Sequence, residues 1–299
     1  MSADRLKRGS DLDALQLRAS TPQQIQQWIQ LYIEFPHWAD AEKTAAEHLA
    51  PVLRQAEAEH GLASWWFIRK APCWRLRLLA QPGSETHDLV TAALDDLTDA
   101  GLVLRYWHGI YEPETAAFGG PAAMTLAHDL FHADSRAVLD PHSRARALLG
   151  QRELSILLST TMLHAGRLEW FEQGDVWHLV AAERPLPADA APVQLQQLAD
   201  DLGQLLRADT AAAGSLFGPG RPLAPAGRRA DAFRQAGRAL GTAARTGALD
   251  RGLRQVLAYH LIFHFNRCGL PTRTQSILAA AARTAILGPR PDVPRLATA

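Results

Sequence analysis

The residues best able to do chemistry in this sequence lie in the stretch LAYHLIFHFNRCGL, Leu257 to Leu270. At helical spacing His260, His264 and Arg267 stand at i, i+4 and i+7 and share one face, with Leu257, Leu261 and Cys268 as an apolar stripe beside it. Two imidazoles and a guanidinium on the last turn of a helix can hold an anion or move a proton. The competing interpretation is a core helix whose histidines find backbone partners. His260 and His264 also match the HxxxH spacing of a metal pair, but the glutamate of HExxH is missing and no nearby carboxylate shares their face, so no metal is expected. A second group lies in Trp74-Arg75-Leu76-Arg77-Leu78, where strand alternation sends Trp74 and the leucines one way and Arg75 and Arg77 the other. Paired guanidiniums on one strand face can grip a carboxylate or phosphate in two-pronged fashion. The same pattern also fits the solvated face of a sheet, and Arg69 in the neighbouring strand could belong to either arrangement.

These residues need elements to position them. Gln24 to Phe35 alternates as a half-buried strand, and Ala39 to Glu59 is alanine-rich with helical spacing. SWWFIRK and WRLRLLA, separated by Ala71-Pro72-Cys73, form two adjacent strands. Glu85 to Ala100 is a helix capped by Ser84 and ended by Gly101, and LVLRYWHGIY is a further strand. The order β-α-β-β-α-β is the ferredoxin-like pattern. YEPETAAFGGPAAM is a shaped loop leading into a helix near Pro121. Ala122 to Leu139 and Ser143 to Leu163 are helical, broken at Asp140-Pro141, while Leu168 to Leu186 is open between helix and hairpin. After a linker from Pro185 to Pro192, helices are predicted at Gln194 to Ala212, Arg229 to Thr246, Leu249 to Arg267 and Thr272 to Leu287, with a Gly/Pro-rich loop from Gly214 to Gly227. The expected class is α+β, with a ferredoxin-like α/β part over about 22–115 and a mainly helical part over about 116–299. Both belong to one domain, preceded by a polar arm over residues 1–21.

With 299 residues, 47% of them hydrophobic, the chain can bury a large core. Thirty-one basic and thirty-one acidic side chains cancel, so no global field recruits nucleic acid or an anionic membrane. Cys73 and Cys268 lie in apolar stretches, which argues against a disulfide scaffold or zinc site and points to the reducing cytosol. Neither a secretory signal nor a membrane span is indicated. There is no P-loop, no GxGxxG after a strand and no GxSxG elbow.

Four blocks taken together carry a resemblance: WWFIRKAPCWRLRLL, YEPETAAFGGP, LFHADS (Leu130 to Ser135) and YHLIFHFNRCGL. In order and approximate spacing they resemble the thiopeptide-type bacteriocin biosynthesis domain, the same as the C-terminal glutamate-elimination domain of class I lantibiotic dehydratases. The resemblance spans about Gln24 to Leu287 and looks like the split dehydratases, in which this domain stands alone. It implies an enzyme, a lyase acting on a ribosomally made precursor peptide. A partner protein esterifies Ser or Thr with glutamate delivered by glutamyl-tRNA, and this domain eliminates glutamate to leave dehydroalanine or dehydrobutyrine. No cofactor and no direct contact with nucleic acid or membrane are implied, and a homodimer is left open.

By the same resemblance, Arg75 and Arg77 match the family's arginine pair and would hold the glutamyl group, while His264 is the candidate for acid/base work. Asn266 and Arg267 belong to the same block and would orient it or contact substrate. Independently of the resemblance, Arg69 on the neighbouring strand and His260 on the helix face are further substrate-binding candidates, His260 as a packing residue behind the site. Two departures stand out. Ala117-Phe118 occupy the places of the family's arginine-tyrosine pair, for which Arg105 is a candidate substitute, and Trp74 replaces a histidine before the RLR triplet. The related thiopeptide pyridine synthases, which close a macrocycle by formal aza-cycloaddition of two dehydroalanines and release the leader, are the alternative. Those enzymes have generally lost the glutamate-gripping residues, whereas Arg75, Arg77 and the HFNR block survive here, which favours elimination. A non-catalytic adaptor that binds the leader peptide is the third reading.

Overall fold

Two runs of aromatic and branched residues, LASWWFIRK and CWRLRLLA, prefer the pleated backbone and form β2 (Leu62–Lys70) and β3 (Cys73–Ala80), an antiparallel pair turning through a cis Ala71-Pro72 bond. β3 continues into β1 (Trp28–Glu34), and β1 into β4 (Arg105–Gly109), giving a four-stranded antiparallel sheet of order β2-β3-β1-β4. The computed structural model describes residues 28–140 and 149–288. The expected arm over 1–21, the opening of the expected first strand at 24–27, Pro141 of the expected break and the start of the helix expected from Ser143 lie outside the described residues.

Alternation sorts the sheet into two faces. Leu31, Ile33, Trp65, Phe67, Trp74, Leu76 and Leu78 enter the main core with Leu49, Leu53, Val90 and Leu94 of two helices. The first, α1, runs from 41 to 59 with a π-helical stretch, Ala45–Leu49, between Ala41–Thr44 and Ala50–Glu59. Pro51 removes the amide that a regular helix would offer to the carbonyl four residues earlier, and the wider turn absorbs that loss. The second, α2 (Thr86–Asp99), begins at Glu85 without a side-chain cap, so the Ser84 cap expected from sequence is not made; Thr86 Oγ1 instead donates to the carbonyl of His60 at 2.7 Å. β4 is shorter than the expected strand because the amides of Leu102 and Val103 both donate to the carbonyl of Leu97 at the end of α2.

Beyond the sheet come α3 (Pro121–Val138), α4 (Gln151–Ala165), α5 (Trp170–Glu183), α6 (Pro192–Leu206), α7 (Gly227–Arg245), α8 (Leu253–Arg267) and α9 (Thr272–Leu287). The segment left open between helix and hairpin is α5, started by a reciprocal cap between Glu169 and Glu172. Its Gly174 lets α9 lie close, since a Cβ there would meet Leu287 at 2.6 Å and Ile286 at 2.7 Å. α6 stops at Leu206, short of the expected Ala212, and the Asp209 side chain then accepts a turn bond from the amide of Ala211. α8 starts at Leu253 rather than Leu249, because Asp250 donates its amide to the carbonyl of Gly119 and packs against Gly120.

The two halves meet along β2, an edge strand that α3 and α8 cover. The amide and carbonyl of Trp65 face Nδ1 of His132 at 3.3 and 2.8 Å, the amide of Phe67 donates to Ser135 Oγ at 3.2 Å, and Arg267 Nε donates to the carbonyl of Phe67 at 3.1 Å. Side chains of the helical half thus satisfy backbone groups that a fifth strand would otherwise take. Among the described residues, no helix is long and apolar enough to cross a membrane.

Candidate active site

On the other face of the sheet, the register sets Arg77 between Trp66 of β2 and Gln30 of β1. Trp66 and Ile68 there join Phe118, Met124, Ala127 and Phe131 in a second, smaller core, flanked by Tyr111, Tyr259 and Phe263. Arg77 is 4% exposed, its guanidinium carbon 4.1 Å from the Trp66 ring and 4.7 Å from the Tyr111 ring. Burial draws its pKa down to about 10, with Tyr111 and Glu114 working in the opposite direction, so it stays cationic at neutral pH. Its Nε and Nη1 have no hydrogen-bond partner among the described residues, an unusual state for buried donors.

Beside Arg77, the Tyr111 hydroxyl lies 2.8 Å from His128 Nε2, and the His128 ring stacks obliquely on Trp28 at 4.6 Å. Burial, and after it the charge of Arg77, lower the His128 pKa to about 4; the imidazole is neutral at pH 7, and with its proton on Nδ1 its Nε2 can accept the hydrogen bond of the phenol. Burial raises Tyr111. The pair is a proton-relay geometry next to a cation with unused donors.

Behind this face lies a buried ionic network centred on Asp134 of α3, which is fully enclosed. Arg229 Nε donates to its Oδ1 at 2.7 Å, Arg267 Nη1 to its Oδ2 at 2.7 Å, and His264 Nδ1 lies 2.9 Å from Oδ2. Burial alone would raise Asp134, but Arg229, His264 and Arg267 hold it well below the usual carboxylate range. For His264, burial opposes charge while Cys268 and Asp134 favour it, and the balance lies above its ordinary value. Arg229 also donates to Cys268 Sγ at 3.0 Å.

Arg267 joins the two regions. While bonded to Asp134 and Phe67, its guanidinium carbon sits 4.7 Å from the Phe131 ring and 5.9 Å from that of Trp66, and its Nη2 has no hydrogen-bond partner among the described residues. His260 lies 4.9 Å from the Phe118 ring, both nitrogens without a hydrogen-bond partner among the described residues, and burial, then Arg267, lower its pKa to about 3. Arg77, Arg267 and His260 therefore converge on the Trp66–Phe131–Phe118 cluster, where donors and acceptors without protein partners accumulate.

The remaining sequence candidates stand elsewhere. Arg75 shares the face of Arg77 but lies over Tyr32 at 5.4 Å. His264 points to Asp134, on the inner side of α8. Asn266 Oδ1 accepts from Gln275 Nε2 of α9 at 2.9 Å. Arg69 occupies the opposite face of the sheet, paired with Glu42 and 4.7 Å from the Trp74 ring. Arg105 lies at the β4 edge, bonded to Glu34 at 2.7 Å and exposed. Phe118, which the sequence resemblance sets where a tyrosine is expected, is buried among Phe131, Tyr259 and Phe263.

Sequence reasoning did not single out Asp134, Arg229, Tyr111, His128 or Trp66. A signal existed for Asp134: it interrupts the apolar stripe Ala127, Leu130, Phe131, Val138 of α3, and a carboxylate there must be paired.

Comparison with curated proteins finds no match. Among solved structures, the chain is similar to the tRNA-dependent lantibiotic dehydratase MibB from Microbispora sp. 107891, with 22% identity and a TM-score of 0.60 over 89% of this chain and 28% of that one. The chain thus spans little more than a quarter of that protein's length. It is similar also to TsrL, with 15% identity and a TM-score of 0.58 over 89% of this chain and 99% of that one. TbtD, a pyridine synthase from thiomuracin biosynthesis, gives 13% identity and a TM-score of 0.58 over 87% and 97%. At these identities the likeness is one of fold. The family model for the C-terminal part of the lantibiotic biosynthesis dehydratase matches residues 28–286, nearly the whole described chain, and the chain belongs to that family.

Proposed function

We propose that this protein eliminates glutamate from glutamylated Ser or Thr of a ribosomally made precursor peptide, leaving dehydroalanine or dehydrobutyrine. The observation that carries the reading is Arg77: a buried cation on two aromatic rings, with unpartnered donors, beside the neutral Tyr111–His128 pair. In the reaction a carboxylate is the leaving group, and a guanidinium fork already in place stabilises the charge it develops. Tyr111 Oη takes the Cα proton and passes its own to His128 Nε2. The C–H electron pair forms the Cα=Cβ bond, and the Cβ–O bond breaks with its electrons going to the departing carboxylate. A carboxylate bound at Arg77 offsets one of the two causes that depress His128 and so strengthens the base when substrate is present.

Arg75 extends the cationic face toward the peptide, and Arg267 supplies a second fork. Asn266 acts through the α8–α9 contact. His264, held by Asp134, is a positioning residue for Arg267 in this reading; acid/base work by His264 itself would require its release from that carboxylate. A glutamylating protein and the peptide with its leader are the partners, in the cytosol. The element order β-α-β-β-α-β and the sheet order β2-β3-β1-β4 support reading the N-terminal half as ferredoxin-like.

A second reading, formal aza-cycloaddition of two dehydroalanines, is favoured by one observation: Ala117 and Phe118 put an apolar aromatic wall where the family's arginine-tyrosine pair is expected. Mass spectrometry separates the two. Given glutamylated precursor, the purified protein should release free glutamate and yield dehydroamino acids. Untouched glutamyl esters, together with cyclisation of a dehydrated, azole-bearing peptide and loss of its leader, would establish cycloaddition. Binding of both peptides without change to either would leave an adaptor.

A further inference from the structure

On α7, Arg234, Arg238, Thr242 and Arg245 stand at i, i+4, i+8 and i+11 and so share one face, where like charges repel. With Arg167, His164 and Asp209 they line a cavity of about 450 Å³ between the end of α4 and the turn after α6. The lining holds four guanidiniums and one carboxylate, a local excess of positive charge in a chain whose thirty-one basic and thirty-one acidic residues cancel as a whole. Asp209 is occupied in part by its own turn, accepting from the amide of Ala211 at 3.0 Å.

The floor is built rather than incidental. Arg234 is 5% exposed, paired with Asp231 and donating from Nη2 to the carbonyl of Thr210 at 2.9 Å, yet its Nε has no hydrogen-bond partner among the described residues. Arg167, on the rim, has a φ of 61°, the one non-glycine residue in the left-handed region among the described residues. Backbone in that region is costly for a side-chain-bearing residue, and here it holds a guanidinium at the cavity mouth. Among the described residues, the side chains of Arg167 and Arg238 make no hydrogen bond or ion pair.

We propose that this cavity binds a diphosphate, free or carried by a nucleotide. A lone carboxylate is satisfied by a single planar fork, whereas tetrahedral phosphoryl groups present oxygens in several planes and take several forks at once. A neighbouring cavity of about 790 Å³ shares Arg167 and Arg245, leaving room for whatever the diphosphate carries. The site has no lining residue in common with the surroundings of Arg77 and does not depend on the elimination reading.

Titration calorimetry of the full chain with inorganic pyrophosphate, ADP and L-glutamate tests it. Pyrophosphate and ADP should both bind, more weakly as salt rises; tighter binding of ADP assigns the nucleotide, equal binding the free diphosphate. Arg167→Gly and Arg238→Gln should each weaken binding about tenfold, the loss expected for one charge-assisted fork. Arg54→Gln, in a different basic cavity, should leave binding unchanged. Glycine relieves the left-handed backbone at 167, so the thermal midpoint without ligand should not fall, which separates lost binding from lost fold. No heat with either phosphate at millimolar concentration, glutamate binding as tightly as pyrophosphate, or undiminished affinity in a variant carrying both Arg167→Gly and Arg238→Gln would overturn the proposal.

Discussion

Replacing Asp134 by asparagine tests whether the buried network ties the helical half to the sheet. The carboxylate receives Arg229, Arg267 and His264 at 2.7, 2.7 and 2.9 Å and is fully enclosed. A hydrogen bond to a charged group is worth about 1.5–3 kcal/mol, but Arg267 keeps its bond to the Phe67 carbonyl and Arg229 its contact with Cys268, so the three losses do not add in full. Removing one member of a buried ion pair costs about 3–5 kcal/mol, and two stranded guanidiniums put Asp134→Asn toward the upper end. For a chain of this size that corresponds to roughly 5–8 °C in thermal midpoint, read by calorimetry or circular dichroism.

The cost should also depend on pH in a way that a packing defect would not. Asp134 is depressed in the folded state, so its contribution is present above the unfolded value of 3.8 and is lost as pH falls through the folded one. His264 is raised, so its contribution is full below 6.5 and is lost as pH rises through the folded value. The stability difference between wild type and Asp134→Asn should therefore be greatest between those two values and shrink on either side. A difference below about 1 kcal/mol between those two values, or one that stays the same size when pH is taken well below and well above them, would refute the network's role.

Three further outcomes follow from the geometry. Arg77→Lys keeps the charge but loses the planar fork over Trp66 and Tyr111, and elimination measured by glutamate release should fall about 10- to 100-fold with peptide binding largely retained. Tyr111→Phe breaks the relay to His128 and should slow elimination by about 100-fold or more; because His128 sits at about 4 in the free protein, kcat/KM should show no titration of His128 between about pH 5 and 8. Gly174→Val drives a side chain into Leu287 and Ile286 and should cost about 1–3 kcal/mol in urea denaturation with no specific effect on turnover.

How much of this was legible beforehand differs by element. The strands around Arg75 and Arg77 and the face assignment of those arginines follow from period-two alternation, because that sheet buries one face against helices and leaves the other partly open. The α8 face was legible as a pattern but not as a destination: His260, His264 and Arg267 do share one side of the helix. Yet His264 turns to Asp134 and His260 to Phe118, because partners about 130 and 140 residues away decide which atoms meet. Arg69 shows the same limit, since its face is fixed by strand register and its partner Glu42 by the packing of α1. The helix at 170–183 was obscured by Gly174, a residue whose reason is the surface of α9 rather than its own backbone.

The covered edge of β2 has a consequence for how the molecule assembles itself. The groups that complete that strand come from positions 67, 68 and 200 residues further along the chain. Loop-closure entropy must be met before those contacts form, which favours slow folding. During synthesis the sheet can form its hairpin early, but one flank stays an open template until Arg267 has been made. Over that interval the sheet is exposed to pairing with another copy, and it is the last long helices that close the window.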